Sequence, residues 1–214
     1  MTIHAVIFDL DGVIVSTDEY HYQAWQQIAD EEGISFDRRI NERLRGVSRM
    51  ESLEIILRQA PRSYSETEKL GLAHRKNEYY RQLLNRLTPG DILPGVMAML
   101  AAIKRRQVKT AIGSSSRNTP TILEKIGLAD AFDAIADGNQ IARSKPDPEV
   151  FLLAADKLGI SPENCAVVED AEAGIEAALR AGMRAVGVGS AAHCPQAHIR
   201  ASAIADLDVD ELLA

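Results

Sequence analysis

The chain has 214 residues, and its 24 lysines and arginines against 31 aspartates and glutamates leave a formal charge of −7, which argues against a nucleic-acid surface built from clustered cations. No apolar run reaches the ~18 residues of a membrane helix, and no basic segment precedes an apolar one at the N-terminus, so a cytoplasmic protein with no membrane or nucleic-acid partner is expected. The two cysteines, Cys165 in an apolar stretch and Cys194 in a polar one, form neither a disulfide framework nor a metal-ligand spacing.

The first predicted element is a buried strand, Ala5-Val6-Ile7-Phe8, running directly into Asp9-Leu10-Asp11-Gly12. Residues two apart on an extended segment face the same way, so both carboxylates look toward one point, and Gly12 permits a sharp turn after them. From about residue 17 to 87 there is no strand pattern. Helical patterns broken by Gly33, Gly46 and Pro61 fill this segment, and His21, Trp25 and Ile28 share one helix face at i, i+4 and i+7. Trp25 reads as core packing rather than a sugar platform. Ser48-Arg49-Met50-Glu51 and Ser65-Glu66-Thr67-Glu68 both have the form of a capping box ahead of an apolar periodicity. Thr88-Pro89-Gly90 marks a turn back, after which helices and strands alternate. Helices are expected near 95–106, 119–126 and 148–158. Strands are expected at 108–113, near 134, at 165–169 and 184–188, with a short last one near Ala203-Ile204. The alternation means a doubly wound parallel α/β sheet with right-handed crossovers, interrupted early by a helical insert.

In such a sheet ligands lie at the carboxyl ends of the strands. Four polar clusters follow predicted strands: Asp9-x-Asp11; Ser114-Ser115-Ser116-Arg117-Asn118; Asp137 with Lys145-Pro146; and Glu169-Asp170. Each alone also suits a turn, a helix cap or a solvated loop. For all four together on one edge of one sheet these bland readings are far less apt, and the set resembles the site of the haloacid dehalogenase superfamily; the phosphoryl transfer to a sugar that this resemblance implies accounts for the residue types. A carboxylate that attacks phosphorus splits one difficult step into two, and Asp9 is the choice for it. The sugar oxygen must exchange a proton in each step, a task for Asp11 as general acid and base. Mg²⁺ prefers hard oxygen ligands, which Asp9, Glu169 and Asp170 supply. Lys145 and the Ser114 to Asn118 loop would hold the remaining phosphoryl oxygens.

These residues resemble the haloacid dehalogenase superfamily of phosphoryl-transfer enzymes. The similarity runs from Ile7 to about Gly189, and through Thr17-Asp18-Glu19-Tyr20-His21-Tyr22-Gln23-Ala24-Trp25, Gly46-Val47-Ser48-Arg49, Arg75-Lys76-Asn77 and Phe132 to Asp137 it is closest to the β-phosphoglucomutase branch. The resemblance implies a Rossmann-like core at 1–16 and 88–214 with an all-helical cap at 17–87. It also implies a monomer that interconverts β-glucose 1-phosphate and glucose 6-phosphate through an aspartyl phosphate and glucose 1,6-bisphosphate. It adds the main-chain carbonyl of Asp11 to the Mg²⁺ ligands and a cis Lys145-Pro146 bond. It assigns substrate contacts to Thr17, His21, Arg45, Gly46, Val47, Ser48, Arg49, Lys76, Ser114, Ser115, Ser116, Arg117, Asn118 and Lys145, with Arg49 gripping the phosphate that is not reacting. Arg45 and Arg117 stand where lysine is common and Ser115 where a small apolar residue is, which bears on substrate preference rather than reaction type. A sugar-phosphate phosphatase of the same superfamily would share Asp9, Asp11, Lys145 and Asp170 with no demand for Arg49. A phospho-receiver-like module would explain the acidic strand end but neither Asp11 nor the insert.

Overall fold

The computed structural model describes residues 2–44 and 47–214. Its centre is β1 (Ala5–Phe8), whose four residues are all buried. This strand pairs in parallel with β2 (Lys109–Gly113) on one side and β4 (Cys165–Glu169) on the other. With β3 (Ala134–Ala136), β5 (Arg184–Gly187) and β6 (Ile199–Arg200) they form a six-stranded sheet of order β3-β2-β1-β4-β5-β6, parallel throughout. The central strands β1 and β4 read as nearly unbroken apolar runs because both faces of the sheet are covered. Val6, Phe8, Ile112, Val168 and Val186 point into one core layer. Ala5, Ile7, Ala111, Val167 and Ala185 point into the other, the period-two alternation of a pleated strand.

Between β1 and β2 the chain forms α1 (Asp18–Glu32), α2 (Arg38–Glu42), α3 (Arg49–Leu57), α4 (Glu66–Leu84) and α5 (Val96–Arg105). The first four surround an apolar cluster of their own, with Trp25, Ile28, Leu53, Ile56 and Leu72 at its centre. Both expected capping boxes form. Ser48 and Glu51 close the start of α3, and Ser65 and Glu68 the start of α4, each satisfying backbone N–H groups that a helix start leaves open. α6 (Thr119–Lys125), α7 (Glu149–Leu158), α8 (Glu172–Arg180) and α9 (Val209–Leu213) complete the chain. Among the described residues no helix is long and apolar enough to cross a membrane.

Two features differ from the sequence expectation. The last strand is Ile199–Arg200, pairing with Val186 and Gly187, while Ile204–Asp206 forms a 3-10 turn whose Ile204 side chain enters the core. Two residues of backbone pairing are too short to show a strand period, so apolar Ile204 drew the assignment. Cys194 lies in a polar stretch yet is buried, packed in the same layer as Ala191 and Ala197.

Candidate active site

Because every strand runs the same way, all four polar clusters emerge on one edge of the sheet. Asp9 follows β1 with 8% of its surface exposed, Glu169 ends β4 at 1% and Asp170 follows it at 8%. Lys145, 2% exposed, reaches this point from the loop after β3, past a cis Lys145-Pro146 bond. Its ammonium donates to Asp9 Oδ1 at 2.5 Å and to Glu169 Oε1 at 2.5 Å. Burial works against the charge on Lys145. The two carboxylates outweigh it and hold the group cationic, above its ordinary value. For Glu169 burial raises the carboxyl, opposed chiefly by Lys145.

Asp9, Glu169 and Asp170 bring one oxygen each within 4.8 Å of one another. Three carboxylates gathered this closely repel one another, and a cation among them offsets that cost. A small divalent cation with oxygen ligands fits this donor set. The surrounding backbone is shaped around it. Gly12 has φ +87° and lies against the Asp170 carboxylate, while Gly174 lies against that of Glu169, and a Cβ at either would overlap those oxygens. Gly12 thus meets two demands at once, a left-handed turn and a close approach. The second oxygen of Glu169 accepts from Ala171 N at 2.8 Å, which fixes the plane of the carboxylate.

Asp11 stands apart from this charge cluster. Its carboxylate accepts from Thr17 N at 2.5 Å and from Thr17 Oγ1 at 2.6 Å. Burial first, and then the neighbouring charge of Asp18, push its pKa up from 3.8 to about 7, against the lowering effect of the two Thr17 bonds. About a quarter of its side chain, 26%, still faces the cleft. A carboxyl poised near neutrality suits a group that both takes and gives a proton. His21 Nε2 lies 3.7 Å from Asp11, and Lys76 Nζ lies 2.7 Å from His21 Nδ1. Burial, with Lys76 and Arg49 adding to it, holds His21 well below its ordinary value, so the ring is neutral. Burial and Arg49 likewise lower Lys76.

The cluster opens into a cleft of about 770 Å³ between the sheet edge and the helical insert. The insert contributes Val47, Ser48 and Arg49 from the start of α3 and Lys76 and Asn77 from α4, and the sheet edge contributes Ser114 to Asn118 and Lys145. Burial lowers the Arg49 guanidinium, and the like charge of Arg117, which also lines the cleft, lowers it further. Arg117 Nε donates to Gly138 O at 3.2 Å, which steadies the guanidinium in a way a lysine would not reproduce. In the serine loop Ser114 Oγ accepts from Ser116 N and Ser116 Oγ from Asn118 N, both at 3.2 Å. The buried Ser115 hydroxyl has no hydrogen-bond partner among the described residues.

Of the residues expected from sequence, Asp9, Asp11, His21, Val47, Ser48, Arg49, Lys76, Ser114 to Asn118, Lys145, Glu169 and Asp170 line this one cleft. Thr17 sits behind it, buried against Asp11. Arg45 and Gly46 lie outside the described residues. Trp25 is buried in the cap cluster as expected, and in addition borders the cleft with Lys76 Nζ 5.0 Å from its ring centre. Sequence reasoning missed two residues. Tyr80 hydrogen-bonds Thr17 across 63 positions of chain, and Asn77 accepts from Asn118 Nδ2 at 3.0 Å, tying α4 to the sheet edge. Only the helical spacing from Lys76 to Tyr80 hinted at the first.

Comparison with known proteins agrees with this geometry. Residues 3–182 match the family model of haloacid dehalogenase-like hydrolases. A β-phosphoglucomutase of Bacillus subtilis is 53% identical over 187 residues, covering 86% of this chain and 83% of that protein. A phosphorylated carbohydrates phosphatase of Thermotoga maritima is 31% identical, covering 99% of this chain and 97% of that one. The crystal structure of β-phosphoglucomutase from Clostridium difficile superposes with a TM-score of 0.92 at 42% identity, over 98% of this chain and 95% of the other. A parallel sheet that gathers Asp9, Lys145, Glu169 and Asp170 on one edge, under a helical insert placed after the first strand, therefore belongs to the haloacid dehalogenase-like family.

Proposed function

We infer that the protein is a β-phosphoglucomutase, an intramolecular phosphotransferase that interconverts β-glucose 1-phosphate and glucose 6-phosphate. The observation that carries the mutase reading is the pair Arg49 and Arg117 lining the cleft that opens from Asp9; phosphoryl transfer itself rests on a division of labour between two carboxylates on one strand end. Asp9 is bound to a buried cation, and Asp11 is raised toward neutrality with its oxygens on Thr17.

Phosphorylated Asp9 is the donor. The C6 hydroxyl of β-glucose 1-phosphate gives its proton to Asp11 as its oxygen bonds to phosphorus, and the bond from phosphorus to Asp9 breaks. The product is β-glucose 1,6-bisphosphate. After the sugar turns end for end, the Asp9 carboxylate attacks the C1 phosphate, Asp11 returns its proton to the departing anomeric oxygen, and glucose 6-phosphate remains. Lys145 neutralises the transferring group while keeping Asp9 aimed. Asp9, Glu169, Asp170 and the main-chain carbonyl of Asp11 would hold Mg²⁺, which when bound supplies positive charge against the phosphoryl oxygens. Residues 17–87 act as a cap that shuts water out, over a core of 1–16 and 88–214. Arg49 on that cap and Arg117 on the core grip the distal phosphate, whose negative charge offsets their mutual repulsion. A phosphatase would use Asp9 and Asp11 alike, but it has no need for a second guanidinium on the insert facing Arg117.

Trapping the phosphoenzyme tests the covalent role of Asp9 on which this assignment depends. Wild-type protein with Mg²⁺ and glucose 1,6-bisphosphate should carry an acid-stable, alkali-labile phosphate on the peptide containing Asp9, and Asp9→Asn should carry none. Label on another residue, or label persisting in Asp9→Asn, would overturn it.

A further inference from the structure

We propose that Tyr80 is a positioning residue for proton transfer, holding Thr17 and His21 in the arrangement that presents Asp11. This rests on Asp11 being the acid and base. Tyr80 lies on α4 and is 1% exposed, one of the largest fully buried side chains. Its hydroxyl is 2.8 Å from Thr17 Oγ1, which is itself 2.6 Å from Asp11 Oδ2. An ionised carboxylate only accepts, so the single Thr17 hydroxyl proton goes to Asp11. The oxygen of Thr17 is then left as an acceptor, and the Tyr80 phenol must be the donor. A chain of three groups thus has one allowed direction while Asp11 is ionised. Without the phenol, Thr17 Oγ1 keeps its bond to Asp11 but loses the donor that braces it from α4.

The ring of the same tyrosine makes a second set of contacts. It stacks on the His21 imidazole with ring centres 4.1 Å apart, and Lys76 Nζ lies 4.7 Å from its centre. Thr17 and His21, whose side chains approach Asp11 from the start of α1, therefore both lean on one side chain of α4. Thr17 is also the residue that enters α1 from the sheet edge. Tyr80 therefore ties α4 to the start of α1 at the point where Thr17 and His21 meet Asp11.

The test uses the Mg²⁺-loaded enzyme and two half-reactions. One is transfer from phosphorylated Asp9 to β-glucose 1-phosphate, which needs a base. The other is phosphorylation of Asp9 by acetyl phosphate, whose leaving group needs no proton. Tyr80→Phe keeps the ring and deletes the hydroxyl. The rate of transfer to sugar should fall roughly tenfold with KM within about twofold of wild type, the size expected for losing one buried hydrogen bond. Phosphorylation by acetyl phosphate should change by no more than about twofold. In a Thr17→Val background, where the chain is already cut, Tyr80→Phe should add little further loss, since groups acting as one unit are non-additive. Equal slowing of both half-reactions, additive losses, or an unaltered sugar rate would each overturn the proposal. If Tyr80→Phe does not fold, Thr17→Ser against Thr17→Val asks the same question, because only serine keeps the linking hydroxyl; equal rates would overturn it. Asp11→Asn runs alongside. An undiminished sugar rate there would remove the acid and base assignment itself, a different failure from that of Tyr80.

Discussion

Replacing Asp11 by asparagine keeps the shape of the side chain and removes its proton chemistry. In the wild type both carboxylate oxygens accept from Thr17, at 2.5 and 2.6 Å. An amide oxygen can take one of these donors, but its NH₂ must then face the other. General acid and base catalysis is typically worth about 10²- to 10⁴-fold, so turnover should fall by that factor, or about 3 to 5 kcal/mol of barrier. Folding stability gives an independent reading. The Asp11 pKa rises from 3.8 unfolded to about 7 folded. Between these values the unfolded chain binds fewer protons than the folded one, so stability falls as pH climbs from about 4 to 7 and the loss is complete above about 7. A rise of about three units (7 − 3.8) corresponds to at most about 4 kcal/mol, reduced by the part of the side chain that faces the cleft. Asparagine does not titrate, so in metal-free buffer Asp11→Asn should gain stability relative to wild type across that window. Thermal unfolding from pH 4 to 8 measures this, and coupled assay of glucose 6-phosphate measures turnover. Activity within tenfold of wild type, or a difference in Tm that does not grow with pH, would refute the reasoning.

Other consequences are equally direct. Lys145→Ala leaves Asp9 and Glu169 facing each other without their cation, and breaking a buried pair costs about 3–5 kcal/mol; a large drop in Tm is expected in metal-free buffer, with part recovered by millimolar Mg²⁺, and no Mg²⁺ dependence of the drop would contradict it. Arg49→Ala should raise KM for sugar phosphates and lower kcat/KM by about 10²- to 10³-fold while sparing hydrolysis of a small acyl phosphate, as the loss of one desolvated charge contact predicts; equal losses would mean that Arg49 serves the fold of the insert. Gly174→Ala puts a methyl into the Glu169 carboxylate, so calorimetry should show weaker Mg²⁺ binding with sugar phosphate affinity falling less, and unchanged metal affinity would sink that view of Gly174.

Much of the site was legible in the sequence because it is built from strand ends, and strands announce themselves locally. Val6 to Phe8 and Cys165 to Val168 are unbroken apolar runs, so Asp9, Glu169 and Asp170 fall at their ends without further information. Parallel alternation then places those ends, together with Ser114, on one edge. The capping boxes at Ser48 and Ser65 depend on four adjacent residues each, and both form. What escaped is long-range. The Tyr80 contact to Thr17, the Asn77 bond to Asn118 and the anchoring of Arg117 by Gly138 join segments that no local period relates. The burial of Cys194 escaped for a related reason, since the layer it joins with Ala191 and Ala197 is completed by residues of β5 and α8.

The central claim is transfer from Asp9 back to the sugar rather than to water. A ³¹P NMR time course with β-glucose 1-phosphate, Mg²⁺ and a trace of glucose 1,6-bisphosphate follows both fates at once. Glucose 6-phosphate should replace the substrate mole for mole while inorganic phosphate stays near the level set by the trace bisphosphate. Inorganic phosphate rising in step with loss of substrate, with no glucose 6-phosphate, would make the protein a phosphatase and contradict the account.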